Sequence, residues 1–235
     1  MLENLIEVAR HGPKLLRAGA INVSLLFALI AVGFLVGTVI AVVQVYGGRP
    51  LRAAARGFEW LFRSIPAAVL MMIFLYGPPR IGVGKIDPFL AATLALGLRS
   101  AAYQSQIFRG AIQAIPTGQM LAARSMGMGR LRAVASVILP QAFRLSVPGW
   151  SNEFSSVIKD TTLAYLVGLN EIMRQAKTVY DGVHMRLAMP TLIFVALCFL
   201  VATYAGNYLL GVVERQFRIP GLQMPGSGRT MEHSH

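Results

Sequence analysis

Arg99, Tyr103, Gln106, Gly110 and Gln113 recur at steps of four, three, four and three residues, the spacing that lines side chains along one face of an α-helix. A guanidinium presents a planar fork of donors to a carboxylate, while a phenol and an amide add hydrogen bonds, so the chemistry on offer is noncovalent recognition of a zwitterionic solute. The surrounding segment is otherwise mostly apolar. An arginine facing lipid there would cost about 3 kcal/mol, so the stripe must face protein, a water-filled cavity or the headgroup layer. Two readings follow from the residues: a translocation path lined by Arg99, Tyr103 and Gln106, or a polar seam between helices. Glu153, beside Trp150 and Asn152 in a weakly apolar stretch, belongs with the path, because a carboxylate unpaired in that setting is costly. Lys159 and Asp160 follow, either as an ion pair between neighbours that fastens a helix turn or as the outer end of the same path.

Covalent chemistry has no residues to run on. The sequence contains no G-x4-G-K-[ST] phosphate cradle, no G-x-S-x-G elbow and no H-E-x-x-H helix. Cys198 is the single cysteine, which excludes an intrachain disulfide, and His11, His184, His233 and His235 are too dispersed to form a metal-ligand set. The expectation is a chain with no cofactor and no metal of its own. A formal charge of +12 is spread over arginines near the ends of apolar runs, without a dense basic tract. That pattern excludes nucleic acid as a partner and fits contact with lipid headgroups.

The elements that must position these residues are membrane helices. Of 235 residues, 55% are hydrophobic and 14% charged, and the mean hydropathy is +0.57, too apolar for an ordinary water-soluble domain. The expected fold is an all-α integral membrane protein, a single transmembrane domain over 1–235. Five spans are expected, over about 21–46, 57–77, 88–114, 131–158 and 189–213, each near the roughly 20 residues that a bilayer requires. Gly33 and Gly37 give the first span a face for close helix packing. Pro140 and Pro148 should bend or break the fourth.

Between the third and fourth spans lies a segment of different character, TGQMLAARSMGMGRLRAVASVILP over 117–140. Thr117 is placed to cap a short helix over about 118–126, and Gly127 suits the left-handed residue that ends one. Gly118, Gln119, Leu121, Ala122 and Ala123 would form that helix, with the alanines leaving its surface nearly bare for a partner's groove.

Three residues separate Ala123 from Gly127, nine separate Gly127 from Val137, and one more precedes Leu139-Pro140. This spacing resembles the E-A-A-x3-G-x9-I-x-L-P signature of the permease subunits of ABC importers. Phe62-Arg63-Ser64-Ile65-Pro66, Ala102-Tyr103 with Arg109-Gly110, Ile115-Pro116-x-Gly118-Gln119, Leu139 to Arg144, Lys159 to Leu163 and Glu214-Arg215 resemble the polar amino-acid branch, of histidine and glutamine type. The resemblance covers most of residues 20–218 in order. The family usually carries glutamate where this chain has Leu121 and again where it has Gln106, so both departures delete a negative charge.

The resemblance implies a type I importer permease fold whose 118–126 segment is the cytoplasmic coupling helix, with Gly127, Leu139 and Pro140 completing the coupling motif. It implies two ATPase subunits that bind ATP-Mg in this chain's stead, a second permease copy, identical or similar, and an extracytoplasmic solute-binding protein. The chain would be a transport subunit with no catalysis of its own, multi-pass in a bacterial inner membrane, with its N-terminus outside and its C-terminus cytoplasmic. Positive residues favour that orientation only by a small margin, and it rests on the loop meeting a cytoplasmic partner. An ion-gradient-driven transporter or channel would share the composition and the polar stripe but leaves the 117–140 segment unexplained, and a non-transporting scaffold would leave the stripe without purpose.

Overall fold

A computed structural model describes residues 2–182 and 185–217, so His184, His233, His235 and the tail from 218 onward lie outside the described residues. Within them all regular structure is helical. The first helix, α1 (Leu2–Tyr46), has 45 residues, about 68 Å at 1.5 Å per residue, and passes through Pro13. The apolar run at 21–46 is therefore the second part of a longer rod whose first part carries Arg10, Lys14 and Arg17. Among the described residues, Ile6–Tyr46 and Met185–Gln216 are the two stretches long and apolar enough to cross a membrane on their own.

The second apolar segment is not the uninterrupted helix expected over 57–77. It divides into α2 (Arg49–Ser64) and α3 (Ala67–Arg80), bent by 104°. Ile65, preceding a proline, is pushed into extended backbone at φ −84°, ψ 132°, and Pro66 has no N–H with which to continue the ladder. If the bent pair is one crossing, three segments pass the same length and hydropathy test.

The next helix, α4 (Pro88–Ala114), has the bounds its sequence implied. Asp87 starts it by accepting hydrogen bonds from the N–H groups of Phe89 (2.9 Å) and Leu90 (3.3 Å), with Pro88 in the first turn. It is the hub of the bundle, packed most extensively on α1. At that crossing a Cβ on Gly37 would lie 3.0 Å from the Ala101 carbonyl oxygen, and one on Gly33 would collide with the Gln104 amide. Only glycine lets the two backbones approach so closely.

After α4 come α5 (Thr117–Ser125), the single turn α6 (Arg130–Ala133), a π-helical turn at Val134–Ile138, and α7 (Leu139–Asp160). The interruption expected at Pro140 takes the form of this π turn, with the Leu139 N–H bonded to the Val134 carbonyl and Pro140 in the first turn of α7, where its missing N–H costs little. Pro148, by contrast, does not break α7, which remains helical through it. A 3-10 turn at Thr161–Val167 leads to α8 (Ile172–Gly182) and then to α9 (Ala188–Phe217).

One core cluster joins the first half of α4 (Ala92, Ala95, Leu96) to Leu25 and Leu29 of α1 and Leu70 and Met71 of α3. A second joins its other half (Phe108, Ala111, Ile112) to Ala41, Ile138 and Ala142. Phe34, Phe108 and Phe143 interlock there at ring separations of 5.0 to 5.6 Å. A buried polar clasp fastens α1 to the segment before α8. The Asn22 amide donates to Glu171 Oε2 (3.0 Å) and to Thr161 Oγ1 (3.1 Å), and its oxygen accepts from the Ile172 N–H (3.0 Å). Glu171 also receives the N–H groups of Met173 and Arg174 at the start of α8. Burial pushes its carboxyl above the usual carboxylate range, against the pull of those donors.

Candidate translocation site

Because α1 and α3 cover one side of α4, the stripe of Arg99, Tyr103, Gln106, Gly110 and Gln113 is left on its less buried side, and the last two residues are exposed. Arg99 Nη1 pairs with Asp160 Oδ2 on α7 at 2.7 Å, while its Nε is buried with no hydrogen-bond partner among the described residues. Asp160 thus pairs across helices rather than with its neighbour Lys159, which is exposed. Adjacent residues on a helix point about 100° apart, so the neighbouring pair was the less reachable one. Tyr103 stands between two cations, with the Arg99 Cζ 5.1 Å and the Arg63 Cζ 5.0 Å from its ring centroid.

Glu153 is not unpaired. It accepts a hydrogen bond from Ser100 Oγ at 2.7 Å, and Ser100 in turn accepts from Gln104 Nε2 at 3.1 Å. Trp150 Nε1 donates to the Gln104 oxygen at 2.7 Å, closing a relay between α4 and α7. Glu153, Arg99 and Asp160 therefore share one side of the α4–α7 contact, where fixed charges of both signs can meet a solute that carries both.

A second cluster lies toward the C-terminal half of α4 and is organised by a residue that sequence reasoning missed. Glu59 of α2 is buried and receives Gln106 Nε2 and Arg63 Nη1 (3.4 Å) on Oε1, and Gln44 Nε2 (2.7 Å) and Arg109 Nη1 (3.4 Å) on Oε2. Gln106 thus joins a carboxylate supplied from elsewhere. The available signal was a lone acid among arginines, one turn before Arg63 in a segment that an uninterrupted span would have placed in lipid. Ser100, Gln104 and Gln44 were missed for a similar reason, since isolated polar residues in apolar helices acquire meaning only with their partners.

The 117–140 segment lies beyond the other end of α4. Gln119, Leu121 and Ala122 are exposed along with Gly118, whereas Ala123 is buried, as α5 rests on α6 and the π turn. Thr117 makes no cap: the first turn is closed by the Gln119 N–H on the Pro116 carbonyl at 3.0 Å. Gly127 takes φ +82°, and the N–H groups of Gly127 and Met128 bond back to the carbonyls of Arg124 (3.0 Å) and Ala123 (3.2 Å), a paired left-handed termination. Leu139 and Pro140 begin α7, on the far side of the π turn.

Residues 33–219 match the family described as the binding-protein-dependent transport system inner membrane component. The chain belongs to this family. An octopine transport system permease protein, OccQ of Rhizobium radiobacter, is 33% identical over 177 residues, covering 71% of this chain and 75% of its own length. A probable glutamine ABC transporter permease, GlnM of Bacillus subtilis, is 31% identical over 200 residues, covering 83% and 91%. The crystal structure of an amino acid ABC transporter with histidines superimposes with a TM-score of 0.79 at 28% identity, covering 90% of this chain and 98% of that one. This inner-membrane permease therefore has the all-helical, type I importer architecture, and its described helices are the transport scaffold of that family.

Proposed function

We propose that this permease is the membrane-spanning subunit of an ATP-driven importer for polar amino acids. The observation that carries the reading is the meeting of Arg99, Tyr103, Glu153 and Asp160 on the open side of α4, with an Arg99 Nε that has no hydrogen-bond partner among the described residues. A solute carboxylate fits Arg99 and its ammonium fits Glu153 and Asp160, with Tyr103 and Gln106 completing the wall. Lys159, exposed at the end of α7, adds positive potential that draws anions in. The amino-acid transport roles named for the similar permeases and for the similar structure support this substrate class.

In this reading α1, the bent pair α2 and α3, α4, α7 and α9 make five crossings of a bacterial inner membrane, with the N-terminus outside and the C-terminus in the cytoplasm. The helix around Gly118, Gln119, Leu121, Ala122 and Ala123 docks on an ATPase subunit that holds ATP-Mg, and Gly127, Leu139 and Pro140 join it rigidly to α7. A second permease copy and an extracytoplasmic solute-binding protein complete the importer. Closure of the ATPases biases two arrangements of the helices, inward-open and outward-open.

The test is uptake by the purified complex in proteoliposomes against a panel of labelled acidic, basic and amide amino acids. ATP-dependent uptake of at least one of them is expected. Uptake driven by a sodium or proton gradient without an ATPase would replace this reading with a secondary carrier. Gly127→Val, which puts a β-branched side chain at φ +82°, is expected to leave ATP hydrolysis running while uptake is lost.

A further inference from the structure

We propose that Glu59 is a positioning residue of the transport pathway, acting through Arg63 on the Tyr103 face of α4; the proposal rests on the importer reading above. Glu59 is the meeting point of three helices, with two donors on each oxygen. Its neutral donors, Gln44 of α1 and Gln106 of α4, fix the carboxylate in place, so its orientation does not depend on the arginines. The two arginines lie further from it, each at 3.4 Å, and of these Arg109 is also held at 2.9 Å by the Gln44 oxygen. Arg63 lies one turn further along α2 than Glu59, and its guanidinium reaches the ring of Tyr103.

The result is a chain in which two arginines flank the Tyr103 ring and each is held from behind by a carboxylate: Asp160, Arg99, Tyr103, Arg63, Glu59. Its two ends are not equivalent. Arg99 is bound to Asp160 at 2.7 Å, whereas Arg63 is bound to Glu59 at 3.4 Å and is the more exposed of the two arginines, 38% against 26%. A solute carboxylate bound by Arg99 at Tyr103 therefore meets Arg63 as a second, more loosely held cation, and Glu59 keeps Arg63 within reach. The bonds from Gln106 and Arg109 to Glu59 anchor α2 to α4 just before the 104° bend at Ile65-Pro66, so Glu59 also sets where the α2 side of that bend sits against α4.

The experiment is a double-mutant cycle in the reconstituted complex, using whichever labelled amino acids of the panel the unmodified complex accumulates. Glu59→Gln is expected to raise the uptake KM at least about tenfold, equivalent to about 1.4 kcal/mol, with a much smaller change in maximal rate. Because Glu59 acts through Arg63, adding Glu59→Gln to Arg63→Gln is expected to change KM by less than about twofold. Effects that multiply, or an unchanged KM in Glu59→Gln, overturn the proposal. A second measurement does not depend on substrate. In a Cys198→Ser background, spin labels at positions 60 and 113 report the α2–α4 separation in nanodiscs, and Glu59→Gln is expected to broaden or shift it. An unchanged distribution overturns the role of Glu59, whereas a complex that accumulates no amino acid, with the distribution shifted as expected, refutes the importer reading alone.

Discussion

Two polar networks cross this bundle, and they are built on opposite plans. The clasp of Asn22, Thr161 and Glu171 is sealed, at 5%, 0% and 0% exposure, and nearly every donor in it is neutral. The chain from Asp160 to Glu59 is ionic, and its arginines and Asp160 keep between a quarter and two fifths of their side chains open. A sealed network of neutral donors cannot exchange partners without leaving a buried group unsatisfied, so it holds elements together. An open ionic network can trade one carboxylate for another, because water and solute reach it. The first is suited to fastening α1 to the α8 segment, the second to meeting cargo.

The sharpest way to break this contrast is Asn22→Leu, which removes two donors and one acceptor from groups with no access to water. With about 1–3 kcal/mol at stake for each buried group left unsatisfied, the thermal midpoint in detergent is expected to fall by many degrees, read by size-exclusion chromatography after heating. A midpoint equal to that of the unmodified chain would remove the distinction. Arg99→Ala is expected to do the reverse. It strands Asp160 and costs about 2–5 kcal/mol in the affected equilibrium, so uptake should fall at least about thirtyfold while the midpoint moves less than in Asn22→Leu. Gly37→Val tests whether both networks depend on the α1–α4 contact. Forcing a side chain against the Ala101 carbonyl should cost about 1–3 kcal/mol of stability and lower uptake in proportion to folded protein recovered. Lys159→Gln should have the smallest effect, about twofold in uptake at low salt and none at high salt, because an exposed charge acts through a screened field. A salt-independent loss there would mean that Lys159 contacts cargo directly.

The α4 stripe was legible in the sequence because its evidence is local: an arginine, a tyrosine and a glutamine at helical spacing in a mostly apolar segment admit few placements. The bounds of α4 and the left-handed Gly127 were legible for the same reason, since Asp87-Pro88 and a glycine after a short helix act within a few residues. Glu59 was not legible, because Gln44, Gln106 and Arg109 lie 15, 47 and 50 residues from it. The pairing of Asp160 with Arg99, 61 residues away, was missed in favour of an adjacent lysine. The bend at Ile65-Pro66 was written in the local sequence and yet overlooked, since the apolar run continues through the proline.

By itself the sequence determined that this chain is a helical membrane protein, which helical face carries its polar residues, and where the short helix after α4 ends. Those properties follow from periodicity, hydropathy and backbone preferences that act over a few residues. Only the tertiary structure decided which carboxylate holds which arginine, which polar groups are sealed and which stay open, and that α4 is the helix packed against the Gly33 and Gly37 face of α1. Such choices depend on distances between helices far apart in the chain, and no local preference encodes them.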